Sequence, residues 1–393
     1  MPSQKENQLS SSQKLINALR YCLKDFESDV VTLNADTFMR EEQLDIPENL
    51  NPPAYIVFLM FVLLLGYKYR GREEKVGWTI PITYKGTTFL LSHRKFGFRV
   101  LSIKGTSPKQ EVLNEMLIQL KKGTVIADRI LQPLFLEQLQ KGRFLIANSY
   151  IKLTSMYDFF RRKAKQTYSR KPRKPKARKR NKEGIPLFLS SNPFESEFQG
   201  FYYTVAMIDA FFSRLENLLV FSVPFVGFAP DVSSYTTFIS LPWADKYKHI
   251  FNLKNNIPAL KQYEKLREIK EKYRNPISHG FFQKDNASIF IQMPMVGAVP
   301  LNLSILKDNL HFSLVPISKD TYYEICASFN SFEDFLRSSA LKYALLYAEG
   351  GFDVAFDSNS IAKYKEACRS EEEFKRFIEK MMYITDMYAN MDW

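Results

Sequence analysis

Apolar residues recur at helical spacing in three long stretches of the chain, which predicts three amphipathic helices. The first stretch covers residues 15–26, the second covers residues 196–221, and the third covers residues 260–273. The second stretch is very apolar, whereas Lys and Glu residues occupy one side of the third. A helix with one charged side and one apolar side packs on a protein core and faces water.

Helix-start signals and a change of pattern organise the C-terminal third of the chain. Ser318 can cap a helix that runs to Gly350–Gly351. Ser370 and Glu373 form a capping-box pattern for a last helix. Residues 288–315 are strand-like instead, so we expect a β-hairpin inserted between helices.

The N-terminal part mixes strand and helix patterns. Residues 78–82, 87–91 and 98–103 are short runs rich in β-branched and aromatic side chains, which predicts a small antiparallel sheet. Helical patterns follow at residues 108–121 and 125–160. This arrangement is typical of an α+β domain.

Residues 54–65 form the most apolar run of the chain, AYIVFLMFVLLL. A membrane span needs about 20 such residues, and Lys68 and Arg70 follow this run closely. The run is therefore interpreted as a buried core helix, and no membrane partner is expected.

The predicted fold class is mainly α, with an α+β N-terminal domain and a C-terminal helical bundle that carries the hairpin. Residues 1–160 form the first domain and residues 184–393 the second. Residues 161–183 between them are strongly basic and contain few apolar side chains. Such a segment buries too little surface to offset its ordering entropy, which predicts a flexible linker or an exposed basic loop.

The net charge of +13 comes from this segment alone. Residues 161–182 hold thirteen Lys and Arg residues and no Asp or Glu; taking thirteen from the 55 cations leaves 42, which equals the 42 anions. The charge favours binding of a polyanion such as RNA or DNA over a solvated linker, a nuclear-import signal or a contact with anionic lipid. The nucleic-acid-binding candidates are Arg161, Arg162, Lys163, Arg170, Lys171, Arg173, Lys174, Lys176, Arg178, Lys179 and Arg180.

Several classes of protein find no support in the sequence. The three cysteines, Cys22, Cys326 and Cys368, are far apart, which favours neither a disulfide framework nor a zinc site. The N-terminus has no apolar secretory core, so the expected compartment is the cytoplasm. No phosphate-binding, dinucleotide-binding or hydrolase motif occurs, so no cofactor and no metal are expected.

The stretch EKYRNPISHGFF, residues 271–282, is the most informative for chemistry. Metal-independent RNA cleavage needs a group that takes the 2′-OH proton and a group that protonates the leaving 5′-oxygen. His279 suits both steps because the unperturbed pKa of histidine is about 6.5. A guanidinium such as that of Arg274 stabilises the extra negative charge of the phosphorane.

The spacing alone does not bring the two side chains together. On an ideal helix, Arg274 and His279 are about 140° apart around the axis. Pro276 between them predicts a kink or a helix end, and Asn275 would share a face with His279 if the helix continued. The alternative is that Arg274 and His279 only complement the dipole at a helix C-terminus.

The motif RNPISHG resembles the signature of HEPN domains, in which Arg, a polar residue such as Asn and three further residues precede His. The resemblance extends over residues 184–393, since the helix FYYTVAMIDAFFSRLENLL resembles the early helices of this family. It implies a homodimer in which Arg274 and His279 of both chains meet in one cleft. It also implies metal-independent RNA cleavage that leaves 2′,3′-cyclic phosphate and 5′-OH ends. Pro276 is a variation on the family pattern.

The resemblance also suggests supporting residues. Polar residues on an early helix of HEPN domains contact the active site, and Glu216 is the first candidate to orient His279 or Arg274, with Asp209 second. Asp209, Ser213 and Glu216 form one polar stripe, which is equally well explained as the solvent-facing side of the helix. Asn275 and Ser278 of the motif complete the supporting set.

The leading hypothesis is therefore an endoribonuclease that acts in antiviral defence, abortive infection or a toxin or stress response. Residues 1–160 show no chemistry of their own, so they are expected to sense a trigger or a regulatory partner. The alternative is a non-catalytic nucleic-acid-binding scaffold that dimerises through the HEPN-like bundle. A peripheral membrane protein that uses the basic segment and residues 54–65 is a weaker third option.

Overall fold

The computed structural model describes residues 4–29, 41–103, 108–170, 195–226, 234–275, 290–295, 297–300 and 317–392. The chain forms two compact units. The first consists of Met1–Lys141 together with Glu379–Trp393, and the second of Gly142–Ile378.

A five-stranded antiparallel sheet lies in the first unit. Its strands are β1 (Phe26–Ser28), β2 (Glu41–Leu44), β3 (Val76–Tyr84), β4 (Thr87–Arg94) and β5 (Gly97–Ile103), in the order β1-β3-β4-β5-β2. The three predicted strands are confirmed as β3, β4 and β5. The short edge strands β1 and β2 were not predicted, because three or four residues are too few to establish a pattern.

Three helices cover one face of this sheet. They are α1 (Gln4–Cys22), α2 (Ala54–Phe58), which continues as a π-helical turn over Leu59–Leu64, and α3 (Gln110–Gln140). Their buried side chains pack with those of the sheet in one apolar core: Leu19, Val57, Met60, Phe61, Ile80, Phe89, Val100 and Leu117. The apolar run at residues 54–65 is thus confirmed as a core helix. Within the described ranges, no helix has the length and apolarity needed to cross a membrane.

Helix α3 corrects the prediction of two helices at residues 108–121 and 125–160. It is continuous through Gly123 and ends at Gln140. A Cβ atom at Gly123 would lie 3.0 Å from Leu23 Cδ2 and 3.1 Å from Met60 Sδ. The glycine therefore permits close packing of α3 on the core and does not mark a helix end.

The second unit is mainly helical. Its helices are α4 (Tyr150–Tyr168), α5 (Glu195–Ser222), α6 (Ser234–Ser240), α7 (Trp243–Phe251), α8 (Ile257–Ile269), α9 (Lys319–Ser338), α10 (Lys342–Glu349), α11 (Ser358–Ala367) and the start of α12 (Glu371–Asn390). Short strands β6 (Leu145–Ile146) and β9 (Val354–Ala355) pair antiparallel, and β7 (Phe290–Met293) pairs with β8 (Gly297–Pro300). The hairpin predicted within residues 288–315 is thus confirmed for its described part.

The predicted helices of this unit are confirmed, with one change. Helices α5 and α8 match the stretches 196–221 and 260–273. Ser318 and Ser370 accept backbone N–H bonds from Thr321 and Glu373, both at 3.2 Å, as the capping patterns predict. The single helix expected from residue 318 to residue 350 is instead two helices. Its break is at Ser339, which has an extended backbone and whose hydroxyl accepts the N–H of Leu341.

The start of the predicted linker is helical. Helix α4 continues to Tyr168, whose buried ring donates a hydrogen bond from its hydroxyl to the Ile317 carbonyl at 2.9 Å. The basic side chains up to residue 168 therefore project from a packed helix, because its apolar face buries Tyr157, Ala164 and Tyr168. Residues 171–183 of the predicted linker lie outside the described residues.

The two units also divide the chain differently from the predicted domains. Helix α4 belongs to the second unit, although most of it was assigned to the domain of residues 1–160. The end of α12 belongs to the first unit, where the Lys75 N–H donates to the Met391 carbonyl at 2.8 Å. Packing between segments far apart in the chain decides where the two units divide, and such packing leaves no local signal in the sequence.

Helix α5 is the centre of the second unit. Its Arg214 is 7% exposed, lies 4.4 Å from the ring centroid of Tyr157 on α4, and forms an ion pair with Glu333 on α9. Beside it, Phe211 stacks on Phe329 of α9 with ring centroids 3.7 Å apart. Cation–π contact and ion pairing together compensate the burial of the guanidinium. These contacts hold α4, α5 and α9 together.

Replacement of Gly200 by Ala is expected to destabilise the protein. A Cβ atom there would lie 2.6 Å from the buried Tyr168 ring, whose hydroxyl is fixed by its hydrogen bond. Overpacking costs about 1–3 kcal/mol, and the better helix propensity of Ala recovers at most about 1 kcal/mol. Urea unfolding followed by circular dichroism should therefore show a net loss of about 1–2 kcal/mol.

Gly71→Ala is the matched control, because a Cβ atom at Gly71 meets nothing within 4 Å and the backbone there needs no positive φ. It should leave the unfolding midpoint nearly unchanged. A Gly200→Ala protein as stable as the wild type would contradict the close packing of α4 on α5.

Candidate functional site

The candidate site lies where α8 ends. Asn256 caps this helix by accepting the Ala259 N–H at 3.0 Å. Beyond Ile269 the helix widens into a π-helical turn over Lys270–Arg274, and the Asn275 N–H donates to the carbonyl of Lys270. A π turn rotates the side chains that follow it relative to a regular α-helix, and such turns are frequent at functional sites. In this protein the π turn sets the direction of the Arg274 side chain, which the sequence spacing alone did not define.

Arg274 pairs with Asp209 on helix α5. The guanidinium Nε donates to Asp209 Oδ1 at 2.9 Å, and the two side chains are 36% and 57% exposed. A guanidinium has five N–H donors, and this bond uses one of them. The carboxylate therefore orients Arg274 at a position that solvent and solute can reach.

Glu216, the first candidate to contact the motif, pairs with a different cation. Its Oε1 accepts from Lys246 Nζ at 2.6 Å, and the same ammonium donates to the Leu241 carbonyl at 2.5 Å. Lys246 is 1% exposed, so Glu216 compensates a buried charge. Of the two predicted carboxylates, the structure thus places Asp209 on Arg274 and Glu216 on Lys246.

The sequence allowed the polar stripe of α5 to be either a set of contacts to the motif or the solvent-facing side of the helix, and the stripe has features of both. Asp209 and Ser213 are exposed and Glu216 is half-buried, so the stripe does face solvent. Its carboxylates also meet the elements that follow α5 in the chain: α7, through Lys246, and the π turn, through Arg274. One helix face therefore supplies one carboxylate to Arg274 and another to Lys246.

Lys270 is a component that the sequence analysis missed. Its Nζ lies 5.0 Å from the ring centroid of Phe212 on α5 and 5.4 Å from that of Trp243 on α7. Burial of the ammonium, followed by the nearby charge of Arg274, lowers the pKa of Lys270. Its position four residues before Arg274 was the available signal, since residues at this spacing share a helix face.

The remaining motif residues lie partly outside the described range. Asn275 is half-buried and keeps helical backbone angles at the end of the π turn. Pro276, Ser278 and His279 lie outside the described residues. The described segment thus ends at Asn275, four positions before His279.

Some of the predicted nucleic-acid-binding residues also lie within the described ranges and others outside them. Arg161, Arg162, Lys163 and Arg170 lie on or just after α4, whereas Lys171, Arg173, Lys174, Lys176, Arg178, Lys179 and Arg180 lie outside the described residues. Arg161 donates to the Tyr157 hydroxyl at 3.0 Å and to Asn330 Oδ1 at 2.8 Å, so it also holds α4 to α9. Arg162 is exposed and faces solvent.

A cavity of about 370 Å³ lies between α4, α5, α9 and α10 of the second unit, away from Arg274. Its lining includes Arg214 and Arg337. Glu333 forms an ion pair with Arg214. Glu349 binds Arg337 through two bonds of 2.5 and 3.2 Å. Both of these cations are thus paired with carboxylates, whereas Arg161, which also lines the cavity, donates to the neutral side chains of Tyr157 and Asn330.

Comparisons with protein-family models, curated proteins and solved structures find no match to this chain. The geometry and the sequence motif are therefore the basis for a functional assignment. Across the described ranges, no group of three or more His, Cys, Asp or Glu side chains is arranged to hold a metal ion.

The two carboxylates should differ in their contribution to stability. Glu216→Ala leaves the buried Lys246 ammonium without its charge partner, which costs about 1–3 kcal/mol. Asp209→Ala breaks a pair of exposed side chains, which is worth only about 0–1 kcal/mol. Urea unfolding of both variants measures the difference, with Ser213→Ala on the same stripe as the control. Equal losses for the two carboxylate variants would show that the ion pairs do not have these separate roles.

Proposed function

We propose that this protein is a metal-independent endoribonuclease of HEPN type that uses Arg274 and His279. The observation that carries the proposal is the orientation of Arg274 by Asp209 at the end of α8, directly before the His279 segment. A carboxylate-held, solvent-accessible arginine at this place in an R-N-x3-H motif has the chemistry that phosphoryl transfer in RNA requires.

The reaction is an internal transesterification. A histidine takes the proton of the ribose 2′-OH, and the 2′-oxygen attacks the adjacent phosphorus. Arg274 stabilises the charge on the pentacoordinate phosphorane, and a protonated histidine donates a proton to the leaving 5′-oxygen. One P–O bond forms and one breaks, which gives 2′,3′-cyclic phosphate and 5′-OH ends.

Two histidine roles are best supplied by two chains. In the proposed homodimer, the motifs of both protomers face one cleft, so one His279 acts as the base and its counterpart as the acid. This arrangement needs no convergence of Arg274 and His279 within a single chain. Light scattering tests it, since a strict monomer at micromolar concentration contradicts the composite site.

The proposed setting is cytoplasmic RNA cleavage in antiviral defence, abortive infection or a toxin or stress response. An unrestrained ribonuclease harms its own cell, so activity has to be controlled. Residues 1–160, which carry the sheet of the first unit, are the proposed site of a trigger or regulatory partner.

The proposal predicts RNA cleavage by the purified protein in the presence of EDTA. His279→Ala should lower the rate by about 10²–10⁴-fold, because proton transfer contributes that much to such reactions. Arg274→Ala should lower it by about 10²–10³-fold through loss of charge stabilisation. An end-labelled structured transcript and total RNA are the substrates, and the product ends are assayed for cyclic phosphate.

Lys261→Ala is the matched control, since Lys261 is an exposed residue of α8 on which the proposed chemistry does not depend. Its cleavage rate should equal that of the wild type. Cleavage that survives both motif substitutions, or that yields 5′-phosphate ends, rules out the proposed mechanism.

The orienting role of Asp209 predicts a separate effect. Asp209→Asn keeps a hydrogen-bond acceptor for Arg274 but removes the charge, so the turnover rate should fall by about tenfold, which corresponds to about 1.4 kcal/mol. KM and the unfolding midpoint should change little, because the pair is exposed. Steady-state kinetics on the labelled transcript measure both constants. A variant with wild-type turnover leaves Asp209 without a role in positioning Arg274.

The alternative function is non-catalytic binding of nucleic acid. The observation in its favour is the basic segment at residues 161–182, which supplies affinity for phosphate without any chemistry. Salt-sensitive RNA binding with no cleavage by the wild type, in EDTA or in added Mg²⁺, would favour this alternative.

A further inference from the structure

Lys270 is held in an unusual environment beside the proposed catalytic arginine. It begins the π-helical turn that ends at Arg274. Its ammonium lies over the rings of Phe212 and Trp243, both only 4% exposed, while the lysine itself is half-buried. A cation held by two buried rings loses part of its hydration and is restricted in position.

The carboxylates around Lys270 are engaged by other cations. Asp209 binds Arg274 at 2.9 Å, and Glu216 binds Lys246 at 2.6 Å. In the part of the chain that the structure describes, no acidic side chain forms an ion pair with Lys270. The local group of three cations and two carboxylates therefore keeps a net positive charge near Lys270.

This excess charge matches an anionic ligand. A partly desolvated ammonium interacts more strongly with an opposite charge than an exposed one, because the local dielectric constant is lower. Its three N–H donors suit phosphate oxygens, whereas its aromatic neighbours accept no conventional hydrogen bond. Burial and the charge of Arg274 lower the pKa of Lys270, while the charges of Glu216 and Asp209 raise it, and a bound phosphate would raise it further.

We propose that Lys270 binds a phosphate group of the RNA strand next to the phosphate that Arg274 contacts. The inference rests on the proposed function, since it assumes RNA as the ligand of this site. It assigns Lys270 to substrate binding and leaves proton transfer to His279. Lys246 has no such role, because it is buried and bonded to both Glu216 and the Leu241 carbonyl.

The salt dependence of RNA binding tests this assignment. Binding of an end-labelled single-stranded RNA is measured by fluorescence anisotropy in a His279→Ala background, so that the RNA stays intact. The logarithm of the RNA-binding constant falls with the logarithm of the salt concentration. Removal of one cation that binds a phosphate makes this slope less steep by about 0.7 over about 50–200 mM salt. Lys270→Gln should show this reduction, together with weaker binding at low salt.

Two further variants separate phosphate binding from a structural role. Lys270→Arg keeps the charge and should keep the slope. Lys265→Gln, on an exposed position of α8, removes a charge away from the rings and should change the slope much less. Thermal unfolding of every variant monitors folding, since a structural defect lowers the melting temperature without selectively changing the salt slope.

The outcomes distinguish this inference from the proposed function. An unchanged slope for folded Lys270→Gln overturns the role of Lys270, while RNA cleavage by the wild type still supports the nuclease. A slope change equal to that of Lys265→Gln also overturns it, because the effect is then general electrostatics. RNA that neither binds to the protein nor is cut by it overturns both proposals together.

Discussion

The buried guanidinium of Arg214 is the interaction on which the second unit depends. It lies over the Tyr157 ring and pairs with Glu333, so helices α4, α5 and α9 each supply one part of its environment. An arginine that is 7% exposed is costly without such partners, and loss of Glu333 would leave its charge without an ion-pair partner. The packing of these three helices is therefore specified by charge as well as by apolar area, and α5 becomes a rigid support.

Helix α5 makes different kinds of contact on two of its faces. Phe211 and Arg214 face the core, whereas Asp209 and Glu216 bind cations of the following elements. A functional side chain performs best when packed elements hold its partners in place. The position of Asp209, and with it the orientation of Arg274, is thus set by the same packing that buries the opposite face.

The cations around the motif differ in burial. Lys246 is buried and bonds to Glu216 and the Leu241 carbonyl, whereas Lys270, over two rings, and Arg274 are both half-buried. The first cation contributes to folding through Glu216, while the other two lie where an anion can approach. Lys270 and Arg274 are the first and last residues of the π turn, so this single widened turn supplies both half-buried cations.

The sequence alone determined the elements with strong periodicity: three strands of the first unit, the core helix at residues 54–65, helices α5 and α8, and the Ser318 and Ser370 caps. It also contains the motif RNPISHG, on which the proposed function rests. Only the tertiary structure decided that Gly123 lies inside one continuous helix and that α4 continues through residues 161–168 of the predicted linker. It also decided that Asp209 and not Glu216 binds Arg274, and that Lys270 lies over the rings of Phe212 and Trp243. The physical reason is that each of these depends on a contact between segments far apart in the chain, and local pattern records which face a residue occupies but not what it meets there.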